Sequence, residues 1–544
     1  MKKIRLKSAL AMIAAVSIFM TACGQNNVQT SKGGNIKVSG VNEFPIVEEP
    51  VTLSILTTKE ASIQDIETNE FTKWFEEKTN VKIEWDLITG GSTQEMINLQ
   101  IASDDYSDIF YNIQLARSEQ AAYYKQGVII DLTDLVDEHA HYIKEMLADD
   151  PNYEKALRHT DDKILGIPSM ERDISAEAPN KLWVYKPWMD KLGAKIPETT
   201  DEFYELLKRF KEEDPNGNGK ADEIPLAARN ARGNATGLDL NLMNAFTTWS
   251  KFGFYNDNGK AVFAPITDGA KEGIKYLRKL YQEGLIHPES FVMNRSAITA
   301  LAESATPILG VAPAKWTTQF TVAGAPSGRV NDYIAIPPLK GPGGVQQSLD
   351  GSPDAGCTSF HITSACEYPE VAIKWADWFY SEEGYMRTKA VDGMRDAKEG
   401  EIGLDGKQAK FTLDPIENAS VGDQIQNKRW LTKAIGYWPM QNYISLCDNT
   451  IDNPRQKVNY EACQLYDPYI IRGVKIDDLP VPSEMSEAYL EYRSNITAAI
   501  DSGFASFIIG EKDIDKDWDA YVQRFYDLGL KEYQKIVQDY LDTL

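Results

Sequence analysis

The segment that decides the fold is Leu182-Trp-Val-Tyr-Lys-Pro-Trp-Met-Asp-Lys-Leu-Gly-Ala-Lys-Ile-Pro-Glu-Thr-Thr-Asp-Glu-Phe203, in a chain of 544 residues. Its first four residues are apolar, as in a buried strand. Thr199 and Glu202 have the spacing of a capping box, which marks the start of a helix. Apolar residues then recur at helical spacing, at Phe203, Leu206, Leu207 and Phe210. A strand followed by an amphipathic helix predicts a layered α/β lobe.

The same alternation of strand and helix occurs nearer the N-terminus. Residues 51–55 and 81–87 alternate between apolar and polar side chains, which predicts two strands with a helix between them. A further short strand ends near Asn112. Because ligands bind beyond the carboxyl ends of strands in such sheets, Thr58 and Asn112 are candidate binding residues.

The loop after the helix carries oxygen-bearing side chains at alternate positions. Ca²⁺ takes about six to eight oxygen ligands from carboxylates, amides and carbonyls. The candidate ligands are Asp214, Asn216, Asn218, the carbonyl of Lys220, Asp222 and Glu223. The loop is like the start of an EF-hand, but Pro225 stands where an EF-hand has its bidentate Glu. The spacing therefore predicts a structural calcium site that is not a full EF-hand, with a plain polar turn as the alternative.

The first 22 residues have the pattern of an export signal. Basic residues precede an apolar run, 9–20, that is too short for a typical transmembrane helix. Met20-Thr21-Ala22-Cys23 then resembles the lipobox of bacterial lipoproteins, in which the Cys sulfur carries lipid. An ordinary secretory cleavage beside an incidental Cys is the alternative. Residues 23–47 are poor in large apolar side chains, which predicts a flexible tether between the lipid and the folded chain.

The charge of the chain argues against a nucleic-acid partner. Removal of residues 1–22 takes away four basic residues and no acidic ones, so the net charge changes from −24 to −28. Nucleic-acid binding requires a basic surface. No later segment is long and apolar enough to cross a membrane, so the lipid on Cys23 is the predicted membrane contact.

Four cysteines remain after Cys23 is assigned to lipid. An even number in an exported protein permits two disulfides, and the pairs with the shortest loops are Cys357–Cys366 and Cys447–Cys463. Four separate thiols fit the sequence equally well.

Several of these segments together resemble extracellular solute-binding proteins of the maltose-binding-like class. The resemblance rests on the lipobox, on the quoted segment with its Asp-Lys-Leu-Gly and Pro-x-Thr motifs, and on residues 308–316, 333–344 and 360–375. The most similar subgroups are the lipoprotein sugar-binders of Gram-positive bacteria and the alginate-binding proteins, in which a matching loop holds calcium. The resemblance implies two α/β lobes of the periplasmic-binding-protein type (class II) joined by a hinge. It places the first lobe at 48–166 and 345–395, and the second at 167–344 and 396–544.

The resemblance also implies a function. Such a protein is a monomer on the extracellular face of the cell membrane, captures an oligosaccharide between its lobes and delivers it to the permease subunits of an ABC importer. Sugars are bound by flat aromatic rings and by polar groups that pair with hydroxyls. The resemblance places Trp316 at the ligand, and Trp249, Trp430 and Trp438 are further stacking candidates for which core packing is the alternative. The polar candidates are Glu171, Arg172, Asp350, Arg395 and Asn112.

Two other functions compete with this interpretation. A glycoside hydrolase needs two carboxylates at a set separation, and 81 acidic residues make such pairs possible. The sequence contains no G-x-S-x-G, H-E-x-x-H, P-loop or G-x-G-x-x-G motif, so an enzyme is the weaker hypothesis. A receptor for a peptide or another non-sugar solute is the second alternative.

Overall fold

The structure is a computed structural model. It describes residues 36–89, 93–149, 151–159, 161–171, 177–322, 325–351, 358–389, 394–414, 426–448, 455–476, 479, 481 and 485–543. The signal segment with Cys23, residue Arg172 and Cys357 lie outside these residues.

The first lobe is built on a four-stranded sheet. In spatial order its strands are Thr358–Ile362, Ile109–Leu115, Val51–Thr58 and Val81–Ile88. The last three are parallel, and Thr358–Ile362 is antiparallel to its neighbour. The predicted strands near 51 and 81 are therefore confirmed, and their carboxyl ends lie at one edge of the sheet.

Helices cover this sheet, and Asn69 caps the first of them by accepting a hydrogen bond from the Phe71 N–H at 3.1 Å. The α-helices of this lobe are Glu70–Thr79, Thr93–Ser103, Arg117–Lys125, Thr133–His139, Tyr142–Asp149, Pro151–Leu157, Pro369–Asp377 and Glu382–Thr388. An aromatic cluster joins helix to sheet, and Phe75, Trp375, Trp378 and Phe379 are all buried in it.

The packing differs from the expected lobe boundaries at residues 167–170 and 430–437. Both segments were expected in the second lobe, but Ile167, Trp430 and Ile435 are buried in the first core. The strand Met170–Glu171 also pairs with Tyr437–Trp438. These apolar residues find their buried partners in the first lobe, so the chain returns to it after residue 396.

The segment that precedes the first strand is also part of the first lobe. The expected tether extended to residue 47, but Val38 pairs with Val47, and Ile46 is fully buried. Lys374, which is 6% exposed, donates from Nζ to Ser39 Oγ at 3.1 Å and to the Gly40 carbonyl at 2.6 Å. Residues 38–47 are therefore folded onto helix Pro369–Asp377.

The second lobe has its own four-stranded sheet. Its strands, in spatial order, are Tyr333–Ile336, Lys181–Tyr185, Leu309–Ala314 and Ile224–Leu226. Leu309–Ala314 is parallel to Ile224–Leu226 and antiparallel to Lys181–Tyr185. The capping box is confirmed, since Thr199 Oγ1 accepts from the Glu202 N–H at 3.1 Å and a Glu202 carboxylate oxygen accepts from the Thr199 N–H at 3.2 Å. The quoted segment thus forms the strand and helix that it predicts.

Helices from two parts of the chain cover the second sheet. They are Lys186–Leu192, Thr200–Glu212, Asp239–Leu242, Asp268–Gln282, Arg295–Ala302, Arg455–Tyr466, Ser486–Ile509, Trp518–Asp527 and Leu530–Leu541. The smaller strands and the remaining helix are Phe254–Asp257, Lys260–Phe263, Ser348–Leu349, Met394–Asp396, Phe411–Leu413, Leu446–Asp448, Ile470–Ile471 and Met440–Ile444. Within the described ranges, none of the helices has the length and apolar character that crossing a membrane requires. The predicted class of two α/β lobes is confirmed.

We expect that Lys374→Met will loosen the folded N-terminal segment without unfolding the lobe. The substitution keeps the aliphatic stem but leaves the Ser39 and Gly40 acceptors without their donor, which costs roughly 1–3 kcal/mol. Amide hydrogen exchange of residues 38–47 should accelerate accordingly. Lys407→Met, at a side chain that is 81% exposed, is the control. Equal exchange in both variants and the wild type would mean that apolar burial alone holds the segment.

Candidate ligand-binding site

The carboxyl edge of the first sheet holds a buried lysine. Strand Val51–Thr58 ends here, and Lys433 donates from Nζ to the Thr58 hydroxyl. Lys433 is 4% exposed. Its burial lowers the pKa of the ammonium group, while the nearby charge of Glu60 acts in the opposite direction. Lys433 and Glu60 both line a cavity of about 210 Å³. The other lining residues are Thr58, Lys59, Ile63, Gln64, Asp65, Ile66 and Leu87.

Asn112 is connected to the same loop. It has a left-handed backbone with φ 51°, which Asn tolerates better than most residues. Its side-chain amide donates to the Lys433 carbonyl at 3.1 Å. The strand was expected to end near Asn112, but it runs on to Leu115, so Asn112 lies within the strand; its predicted role in ligand binding stays a prediction. Lys433 was missed, although a lone charge inside the apolar stretch 430–438 was an available signal.

The second sheet presents Trp316 at its own carboxyl edge. Strand Leu309–Ala314 ends just before this residue, whose side chain is half-buried. Lys315 Nζ lies 4.5 Å from the centroid of the Trp316 ring. The Lys315 N–H donates to Gln319 Oε1 at 2.8 Å, which fixes the turn after the strand.

A cavity of about 300 Å³ lies beside this turn. Asn180, which precedes the antiparallel strand Lys181–Tyr185, and Asp350, which is 7% exposed, both line it. The other lining residues are Pro179, Gly233, Asn234, Ala235, Leu240, Lys251, Lys315, Gln319, Leu349, Gly351 and Lys475. The structure thus brings Asp350 close to the strand end that carries Trp316. The amide, ammonium and carboxylate groups that line the cavity are able to pair with hydroxyls.

The predicted calcium loop folds around Asp214. One carboxylate oxygen accepts from the Gly217 and Asn218 N–H groups at 2.9 and 3.1 Å, and the other accepts from the Gly219 N–H at 3.1 Å. Asp214 itself has φ 47°. These bonds close the loop into a tight turn that surrounds its own acidic side chains.

Asp222 and Glu223 lie in this loop in contrasting surroundings. The amides of Asn216 and Asn218 donate to Asp222 at 2.9 and 3.0 Å, and these bonds lower the pKa of its carboxyl group. Glu223 Oε1 is buried and has no hydrogen-bond partner in the described part of the chain. Burial, reinforced by the charges of Asp214 and Asp222, raises the pKa of Glu223. Across the residues that the structure describes, no three or more His, Cys, Asp or Glu side chains are arranged as a metal site.

Comparison with known proteins identifies the family. The pattern of bacterial extracellular solute-binding proteins matches residues 57–386. The chain belongs to this family. The fructooligosaccharide ABC transporter substrate-binding protein FusA of Streptococcus pneumoniae serotype 4 is 26% identical to this solute-binding protein over 550 residues, covering 98% of this chain and 97% of FusA.

Two solved structures show the same fold. An extracellular solute-binding protein of Bifidobacterium longum subsp. infantis has a TM-score of 0.75 at 24% identity and covers 91% of this chain and 98% of its own. A structure of S. pneumoniae FusA, described as an EF-hand mutant in complex with fructo-nystose, has a TM-score of 0.72 at 24% identity. The match covers 90% of this chain and 99% of the FusA chain.

Three of the four tryptophans predicted at the ligand belong to the cores of the solute-binding protein instead. Trp249 is fully buried and donates to Asp239 Oδ2 at 3.1 Å. Trp430 is 1% exposed and packs on Phe379 with the ring centroids 5.3 Å apart. Trp438, also 1% exposed, stacks on Tyr385 at 4.0 Å. None of these three rings has a face that a ligand can reach, so the stacking prediction was wrong for them.

The remaining polar candidates have other surroundings. Arg395 forms ion pairs with Glu401 at 2.7 Å and with Asp414 at 2.6 Å, which hold the small strand Met394–Asp396 to its neighbour. Glu171 pairs through its backbone with Trp438. Arg172 lies outside the described residues, so its predicted role stays a prediction. Cys366 is a buried thiol, and burial raises its pKa to about 12.

Proposed function

We propose that this solute-binding protein captures an oligosaccharide between its lobes and delivers it to the permease of an ABC importer. The observation that carries the proposal is the half-buried Trp316 ring at a strand end, next to Lys315, which lines a cavity with amide, ammonium and carboxylate groups. The flat ring suits the apolar face of a sugar, and the polar groups suit its hydroxyls. The name of FusA, a relative that spans nearly the whole chain, supports the same ligand class.

The mechanism follows from the presence of polar groups at both sheet edges. Ligand held by Trp316 on the second lobe gains further contacts when Lys433, Thr58 and Asn112 of the first lobe approach it. A ligand shifts a conformational equilibrium by the difference in its affinity for the two states, so contacts in both lobes favour closure. The permease then accepts the ligand from the closed form.

The alternatives predict different experimental results. A peptide receptor would be stabilised by peptides and by no saccharide. An anchored enzyme would release products from glycans. We propose that the chain has no catalytic activity, and chromatography of glycans after prolonged incubation with the purified protein tests this directly: any shortened product assigns an enzymatic function.

We expect that Trp316→Ala will weaken saccharide binding by about tenfold or more, because it removes the apolar surface under the sugar ring. A thermal-shift screen of saccharides and peptides selects the ligand, and calorimetry then measures its affinity for the variant. Trp438→Phe is the control: it alters a buried ring stack, so the melting temperature should fall while the affinity stays unchanged. Stabilisation by peptides alone would refute the saccharide proposal.

We also propose that the 214–223 loop holds Ca²⁺. The residues fit a hard cation, because three carboxylates and two amides lie in one loop and Glu223 Oε1 is a buried acceptor that has no donor among the described residues. Asp214, Asn216, Asn218, Asp222, Glu223 and the Lys220 carbonyl would be the ligands. Calcium would supply positive charge that offsets the repulsion among the acidic groups. The amides of Asn216 and Asn218 now donate to Asp222, and would turn their oxygens to the metal.

Glu223→Gln provides a sharp test, because its effect should reverse with calcium. In calcium the variant loses a charged ligand and should melt several degrees lower than the wild type, since a ligand at about 100 times its Kd contributes about 2.7 kcal/mol. In excess chelator the variant should melt at the same temperature or higher, because a charge that is repelled by Asp214 and Asp222 has been removed. Differential scanning calorimetry measures the melting temperatures of the variant and the wild type in calcium and in chelator. The same shift in both would exclude a calcium role for Glu223.

We further propose that the mature chain is a monomer held on the extracellular face of the cell membrane by lipid on Cys23. The lipobox-like segment supports this proposal. Cys23→Ser should move the protein from the membrane fraction to the culture medium, because a Ser oxygen does not receive the lipid. Immunoblots of cell fractions measure the change, and Cys366→Ser, at a buried thiol in the folded chain, is the control. An unchanged distribution would favour an ordinary secretory signal.

A further inference from the structure

A small three-stranded sheet is attached to the first lobe. Its strands are Met394–Asp396, Phe411–Leu413 and Leu446–Asp448, and helix Met440–Ile444 precedes the last of them. Trp438, just before this helix, stacks on Tyr385 of helix Glu382–Thr388 with the ring centroids 4.0 Å apart. Lys410, next to the second strand, forms an ion pair with Glu382 of the same first-lobe helix. These contacts hold the small sheet to the first lobe.

Ile444 connects the small sheet to the second lobe. This half-buried side chain packs against an apolar cluster whose buried members are Ala178, Cys463 and Tyr466. The Tyr466 hydroxyl accepts a hydrogen bond from the Leu182 N–H at 3.1 Å, so the cluster is bonded to the second sheet. The small sheet therefore contacts both lobes, through an aromatic stack on the first and through Ile444 on the second.

The apolar cluster adjoins the turn that carries Trp316. Lys181, which is fully buried, donates from Nζ to the Ala178 carbonyl and, at 3.1 Å, to the Lys315 carbonyl. Lys315 immediately precedes Trp316, and Asn180 lines the cavity beside this turn. The backbone of the cluster is thus joined through one lysine to the turn that is proposed to face the ligand.

The two halves of the proposed ligand site are separate in this conformation. The cavity beside Lys433 is lined by residues of the first lobe, and the cavity that Lys315 lines is formed by residues of the second. A ligand that contacts both lobes requires them to approach each other. Because the Trp438 stack holds the small sheet to the first lobe, this movement displaces Ile444 relative to the second-lobe cluster. The Ile444 contact is therefore a contact of the open form.

We propose that Ile444 stabilises the open form and thereby determines how tightly the protein binds its ligand. Closure exposes apolar surface that the contact now buries, so the contact opposes closure. The apparent affinity for a ligand falls with the fraction of the protein that is in the binding-competent form. Ile444 lines neither of the two cavities, so it would act on affinity through the equilibrium between open and closed forms. This inference rests on the proposed closure around a saccharide.

Ile444→Ala should bind saccharide more tightly than the wild type, which is the reverse of what a ligand contact would give. We expect about a fivefold gain in affinity, the effect of removing a half-buried aliphatic side chain from the open form. Calorimetry with kestose and with trigalacturonic acid measures the affinity, and Ile444→Val should give a smaller gain. Ile402→Ala is the control, because Ile402 lies between two strands of the small sheet and is 49% exposed. Unchanged or weaker binding by Ile444→Ala would overturn the inference.

A second measurement needs no ligand. Spin labels attached to ketone-bearing residues at Leu99 and Val292, which are 62% and 74% exposed and lie in different lobes, report the distance between the lobes. Pulsed electron resonance should show a larger closed fraction in Ile444→Ala than in the wild type and Ile402→Ala. Identical distance distributions in all three proteins would overturn the inference. An altered distribution in Ile444→Ala, with no saccharide bound by the wild type, would overturn the proposed function and support the role of Ile444.

Discussion

The burial of Trp430 in the first core determines where Lys433 stands. The Trp430 indole donates to Thr72 Oγ1 at 2.8 Å and packs on Phe379, so the ring is fixed by the helices that cover the sheet. One short helical turn, Leu431–Lys433, then brings the lysine to the sheet edge. Truncation of a buried aromatic ring costs about 3–5 kcal/mol, far more than a single exposed contact. The position of Lys433 on the first lobe is therefore fixed by the packing of the core.

The second lobe holds its strand end by hydrogen bonds to backbone carbonyls. Lys181, although fully buried, donates to the Lys315 carbonyl at 3.1 Å, and Trp183 donates from its indole to the Ala314 carbonyl at 2.9 Å. Both donors come from the neighbouring antiparallel strand. They fix the backbone on the N-terminal side of Trp316 while its ring stays partly exposed. The polar groups of each lobe are thus held by a rigid part of the fold. Rigid lobes favour closure by movement of whole lobes about a hinge, and not by rearrangement within a lobe.

The sequence allowed prediction of features that depend on neighbours along the chain. The capping box at Thr199 and the strand alternation near residue 51 depend on local spacing, and the structure has both. The role of Trp430 could not be predicted in the same way. A buried and a ligand-facing tryptophan have the same local pattern, and only the distant partners Thr72 and Phe379 decide between them.

Segments that are held by distant parts of the chain were equally hard to predict. Residues 38–47 lack the apolar periodicity of a strand or helix, and they are held by Lys374, more than 300 residues away in the chain. Residues 430–437 were expected in the second lobe, but they are buried in the first core. Such contacts link distant parts of the chain, so they cannot be predicted from a local sequence pattern. Lys433 shows the consequence, since its position depends on this return.

The loop 214–223 and Arg229 lie at opposite ends of the strand Ile224–Leu226. This strand has three residues, so its ends are about 10 Å apart. The loop 214–223 enters the strand at its amino end, whereas the cavity residues follow its carboxyl end. A cation in the loop would thus be separated from the carboxyl edge of the sheet by the length of the strand. Its effect on binding would be indirect, through the position of this strand, which pairs with Leu309–Ala314 and bridges to Ile286. A three-residue strand has few hydrogen bonds to its neighbours. A metal ion in the loop would therefore contribute by holding the first residue of this strand in place.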